Sequence, residues 1–124
     1  MDDIFEYEIK DGTCIITGYK RNDAEECIIP DMIDNVPVTD IARYAFSEHR
    51  ELISVALPKE LVTIGAHAFY NCRSLRMIKL YDGITDMGDG AFKNCAMVYK
   101  AEITRVKGSM KCLKALMEEL NQEL

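Results

Sequence analysis

Leu57-Pro58-Lys59-Glu60-Leu61-Val62-Thr63-Ile64-Gly65-Ala66-His67-Ala68-Phe69-Tyr70-Asn71-Cys72-Arg73-Ser74-Leu75 decides the fold, because its pattern recurs along the chain. Ala68-Phe69 stands 23 residues after Ala45-Phe46 and 23 before Ala91-Phe92. Other columns keep that step: Leu52, Leu75 and Val98; Val55, Ile78 and Ala101; Leu57, Leu80 and Ile103; Ile41, Ile64 and Met87. A fixed period of about 20–30 residues marks a solenoid, in which one coil cannot bury its apolar side alone and stacking supplies the core.

Within a coil the residues assign themselves. Leu52-x-x-Val55-x-Leu57 turns alternate apolar residues inward as a short strand, and Pro58 ends it by withholding an amide donor. Leu61-Val62-Thr63-Ile64 reads as a second extended segment, Gly65 as the residue that lets the chain turn, and Ala66 to Cys72 as a short helical turn burying Phe69. Leu75 to Met97 repeats the pattern. The first coil begins near Cys27-Ile28-Ile29-Pro30, but Ile29 precedes Leu57 by 28 residues rather than 23. The five extra residues fit best in Asp34-Asn35-Val36-Pro37-Val38, whose Asn and Pro favour a loop. A fourth coil opens with Val98-x-x-Ala101-x-Ile103 and does not finish.

The two ends read differently. Phe5, Tyr7 and Ile9 alternate with Glu6 and Glu8, Asp11-Gly12 signals a tight turn, and Thr13 to Thr17 returns as a second strand. At the other end Leu113, Leu116, Met117, Leu120 and Leu124 recur at helical spacing after the break at Gly108-Ser109. The expected architecture is one α/β repeat domain over residues 1–124. A hairpin cap spans 4–26, a repeat region of about three coils spans 27–103, and a capping helix spans 109–124.

Strand-Pro, then Val-Thr-x-Ile-Gly, then Ala-Phe-x-x-Cys-x-x-Leu resembles the BspA-like class of leucine-rich repeat. The matching stretches are Leu57-Pro58, Leu61 to Gly65 and Ala68 to Leu75. Asp11 to Tyr19 and Ile33 to Thr39 also resemble what precedes such repeats, so the likeness runs from Phe5 to Ile103. It implies a curved solenoid with strands on the concave face. It further implies a protein- or ligand-binding role, often adhesion by bacterial surface proteins, and no catalytic residues to carry over.

Composition narrows the function classes. The 124 residues carry a formal charge of −6, without the basic stripe of a nucleic-acid binder. That charge also disfavours adhesion to an anionic membrane. No apolar run approaches the ~20 residues of a membrane-spanning helix. The start Met1-Asp2-Asp3-Ile4-Phe5-Glu6 lacks the basic and apolar regions of a secretion signal. With five cysteines, an odd number without paired spacing, this points to the cytoplasm, the cell surface remaining open if the native start differs.

The columns also sort the reactive side chains. His49, Cys72 and Cys95 each follow a Phe by three residues and form a ladder, which suggests a soft-metal site or a Cys–His nucleophile pair. A tetrahedral metal needs ligands from converging directions, whereas a ladder offers a line, and a small buried thiol suits packing. We therefore expect no metal, no cofactor and no enzyme. Asp82 to Gly90 is acidic, but the core needs Ile84 and Met87, so it reads as a solvated turn rather than a calcium loop. His67 is expected to be exposed on its turn.

The expected binding face is the outward side of the strand ladder. It comprises Glu26 and Ile28, Ser54 and Ala56, Met77 and Lys79, and Lys100 and Glu102. Ile28, Ala56 and Met77 are apolar where water-facing strands usually place polar residues, and charges flank them. The leading expectation is a non-catalytic module that binds another protein there. The alternative is a structural unit that self-associates through the solenoid edge or the C-terminal helix.

Overall fold

A computed structural model of the chain describes residues 2–81, 83–95 and 100–104. A 3₁₀ turn at Asp2–Ile4 leads into a hairpin of β1 (Phe5–Lys10) and β2 (Thr13–Tyr19). Its turn residues Asp11 and Gly12 both take positive φ, as a two-residue hairpin turn of this hand requires.

Each coil then gives one strand to each of two sheets. One sheet holds β3 (Glu26–Ile28), β6 (Ser54–Ala56), β8 (Met77–Tyr81) and β10 (Lys100–Thr104), all parallel. The other holds β5 (Val36–Ile41), β7 (Thr63–Ile64) and β9 (Asp86–Met87), also parallel. The hairpin joins this second sheet, β2 lying parallel to β5, with strand order β1-β2-β5-β7-β9. Between the sheets lie the repeat columns, with Leu52 and Leu75, Val55 and Ile78, and Leu57 and Leu80 all buried. The fold is a short β-solenoid of about three coils, as the period requires.

The five extra residues are not a loose loop. Asp34 and Asn35 take φ of 53° and 61° and join β4 (Met32–Ile33) to β5 as a tight hairpin, with Ile33 opposite Val36. Tyr7 donates a hydrogen bond to Asp34 at 3.0 Å, which ties this insertion to the first hairpin.

The expected helical turn is corrected. No α-helix lies among the described residues, and Ala66 to Cys72 is a run of tight turns. Amides of Ala68, Tyr70 and Cys72 bond three residues back, whereas those of His67, Phe69 and Asn71 bond across to Asp89, Ala91 and Lys93 of the next coil. Tyr44, Phe46 and Glu48 bond in the same way to Ala66, Ala68 and Tyr70. A helix would spend every amide within its own coil, and this alternation spends half of them along the solenoid axis. It requires positive φ at two positions per coil: Tyr44 and Glu48, His67 and Asn71, Gly90 and Asn94. The α/β assignment therefore gives way to an all-β solenoid over the described residues. The helix expected over 109–124 lies outside them.

Gly65 is also read differently. Its φ is not in the positive range. A Cβ there would stand 2.6 Å from the amide nitrogen of Arg43, so the glycine serves close approach of two coils rather than the turn.

The Phe column extends further than the repeats do. Phe46 stacks on Phe69 at 5.0 Å between ring centroids, and Phe69 on Phe92 at 5.1 Å. Tyr19 adds a ring 5.2 Å from Phe46, and Phe5 stacks on Tyr19 at 5.5 Å. The hairpin thus caps the solenoid by continuing its aromatic ladder.

Candidate functional site

Parallel pairing in register converts the columns of the first sheet into rows. Glu26, Ser54, Met77 and Lys100 form one row, and Ile28, Ala56, Lys79 and Glu102 another. Between them the row Cys27, Val55 and Ile78 points inward and is buried. The expected residues of β3, β6 and β8 are thus brought together on one face, because side chains alternate across a strand and parallel strands keep that alternation aligned. Lys100 and Glu102 hold the matching register positions on β10. Ile28 is 67% exposed and Met77 43%, while Ser54 and Ala56 are half-buried beneath them. A shallow depression of about 340 Å³ follows, floored by Ser54 and Ala56 and flanked by Glu26, Ile28, Met77 and Lys79.

A second depression, of about 250 Å³, adjoins the first and shares Ile28, Ala56 and Lys79 with it. It adds Asp31 and Tyr81, which the sequence reading did not select. The signal for Tyr81 was present. Pro30 and Pro58 end their strands, but the same column holds Tyr81 in the third coil, so β8 runs on to that residue and pairs with Thr104. Asp31 accepts the amide of Lys59 at 2.7 Å, which fixes its carboxylate at the strand end.

The cysteine ladder is built for packing. The Cys72 thiol donates to the Phe46 carbonyl at 3.0 Å, and Cys95 donates to Phe69 at 3.1 Å, each reaching one coil back. His49 leaves this pattern: its ring pairs with Glu51 at 3.1 Å and packs 5.0 Å from the Tyr19 ring. Among the described residues no group of three or more His, Cys, Asp and Glu could hold a metal ion. His67 is half-buried rather than exposed, stacked on Tyr44 at 5.1 Å. Asn71, at its positive φ, is buried and donates to Glu48 at 2.8 Å. That bond holds the Glu48 carboxyl below its ordinary range.

The thiols are quiet for physical reasons. Burial pushes Cys27 up to about 11, against a hydrogen bond with Tyr19 that pulls it down. The Cys72 thiol is raised by its contact with Cys95 and then by burial. At pH 8 an alkylating reagent should therefore label half-buried Cys95 well before Cys14, Cys27 or Cys72, as peptide mass mapping of the native protein would show. Because folding raises the Cys27 value above 9, its contribution to stability is complete below pH 9 and lost as pH rises toward 11. Urea unfolding across that window should show the decline.

A sheet of short parallel strands, one per 23-residue coil, with an aligned outward face defines a leucine-rich-repeat solenoid. A scan against protein families matches residues 24–111 to the BspA type leucine rich repeat region. The chain belongs to that family. Among solved structures it is similar to a leucine rich cell surface protein from Faecalibacterium prausnitzii A2-165, with 27% identity and a TM-score of 0.72. That likeness covers 85% of this chain and 31% of the other, so the chain spans under a third of that relative's length. It is also similar to the T. pallidum leucine rich repeat protein, at 18% identity and a TM-score of 0.54 over 99% of this chain and 96% of that one. A leucine-rich repeat protein from Bacteroides capillosus ATCC 29799 is similar at 21% identity and 0.56, over 82% and 94%. These last two likenesses speak for the fold alone. A search of curated proteins finds no match.

Proposed function

We propose that this chain is a non-catalytic module that binds another protein on the outward face of its β3-β6-β8-β10 sheet. Ile28, Ser54, Ala56, Met77 and Lys79 would meet the partner, with Lys100 and Glu102 at the far rim. The observation that carries this reading is the exposure of Ile28 and Met77 around the depression at Ala56. Water-facing strands gain nothing from large apolar residues, whereas a partner that covers such a pair gains a desolvated centre within a polar rim. Leucine-rich repeats generally serve protein interaction, which supports the same reading.

The self-association alternative through the C-terminal helix rests on residues outside those described. The cytoplasmic expectation finds no support in the likenesses, and the F. prausnitzii relative, described as a cell surface protein, favours the surface alternative.

The test is the double variant Ala56→Glu with Met77→Glu, compared with the unaltered chain in capture of partners from a lysate of the source organism. Both positions lie outside the core, so the fold should survive. We expect partners held by the unaltered chain to be lost from the variant. The same partners on both would refute the face.

A further inference from the structure

The two sheets are not closed alike at the N-terminal end. The hairpin β1-β2 pairs with β5 and so covers the leading edge of its sheet. In the other sheet β3 stands at the end of the order β10-β8-β6-β3, with no strand beyond it among the described residues. The bonding pattern shows which groups this leaves open. Ile29 donates to the Ala56 carbonyl and Glu25 accepts from Ser54, so the odd-numbered residues of this stretch turn their main chain toward β6. In a parallel ladder the alternate residues turn the other way, which directs the amides and carbonyls of Glu26 and Ile28 out of the sheet. Both residues are exposed.

An open edge is a template for one more strand. Its side chains say which kind. Glu25 and Glu26 are exposed on and before β3, and Ile28 offers an apolar surface beside them. A second copy of β3 would add its own Glu25 and Glu26 to the same strand pair, and the closeness of like charges disfavours it. A basic segment has no such penalty.

We propose that the free edge of β3 is a strand-addition site for an extended, lysine- or arginine-bearing segment of a partner protein. Such a segment bonds through its main chain to Glu26 and Ile28, sets a basic side chain against Glu26, and lays an apolar one beside Ile28. This goes beyond the face reading, since the edge acts through main chain and remains intact in the Ala56→Glu, Met77→Glu variant.

The test is amide hydrogen exchange of the full chain with the peptide Lys-Thr-Val-Thr-Lys, whose Lys and Val stand two residues apart and so share the face of Glu26 and Ile28 in either strand direction. At a peptide concentration about ten times the dissociation constant, exchange at the Glu26 and Ile28 amides should slow about tenfold. The Cys27 amide, already turned toward β6, should not change. The same peptide N-methylated on alternate amides, or Glu-Thr-Val-Thr-Glu, should give no protection. Three results would overturn the proposal: no protection at millimolar peptide, equal protection with the acidic peptide, or protection that appears with rising protein concentration and no peptide. The last would make a second copy the occupant. Ile28→Pro, which removes an outward amide while sparing those facing β6, should abolish the protection at Glu26, whereas the Ala56→Glu, Met77→Glu variant should keep it.

Discussion

Phe69→Ala should cost about 3–5 kcal/mol of unfolding free energy, the largest loss expected from any truncation in the ring ladder. Phe69 is fully buried, lies in the middle coil, and stacks on Phe46 and Phe92 with interplanar angles of 11° and 3°. Removing it opens a cavity whose walls are held apart by the axial hydrogen bonds of the turns. Those bonds, Phe46 to Ala68 and Phe69 to Ala91, are both 2.7 Å long and keep the coils from collapsing inward. Urea unfolding monitored by circular dichroism would measure the loss. A cost below about 0.5 kcal/mol, the level of an ordinary surface change, would mean that the ladder is not the core.

Gly88→Ala and Gly83→Ala should move stability in opposite directions. A Cβ on Gly88 would stand 2.6 Å from the Ala66 Cα and closer still to the Ala66 amide nitrogen. Both obstacles are main chain, and Gly88 is itself held by a 2.8 Å bond to the Ile64 carbonyl, so neither coil can yield without losing its pairing. The expected cost is about 3 kcal/mol, the upper range for overpacking. At Gly83 the nearest atom is the Leu61 carbonyl oxygen at 3.7 Å, an ordinary contact. Alanine there should add about 0.4–1 kcal/mol by restricting the unfolded chain. Both values come from the same urea titration, and the same sign at both positions would contradict the close-packed coil geometry.

These two experiments mark where the sequence was legible and where it was not. The period of 23 placed the strands of the repeat coils and their core columns, because burial is enforced residue by residue and recurs at each coil. The outward face followed from the same columns, since alternation along a strand leaves no choice of side. The turn over Ala66 to Cys72 was harder. Ala68, Phe69 and Cys72 are spaced as a helical turn would space them, and nothing local says that His67 and Asn71 are left-handed. That is decided by the neighbouring coil, which accepts half of the amides. Gly65 was misread for a related reason: its constraint comes from Arg43 of the coil beneath, not from its own φ. Tyr19 and Phe5 lie outside the repeat, so no column announced that they extend its ring stack. Tyr81 stands in a column that holds Pro in the two preceding coils, and that departure is the signal of a longer third strand.

A partner on the outward face of the β3-β6-β8-β10 sheet, as proposed, would shield the main chain of those strands from solvent. Amide hydrogen exchange of the protein alone and with a captured partner tests it most directly. Added protection is expected in residues 26–28, 54–56 and 77–79, with residues 44–48 and 67–71 on the turn side unchanged. Protection confined to the turn side, with the strand face unaffected, would contradict it.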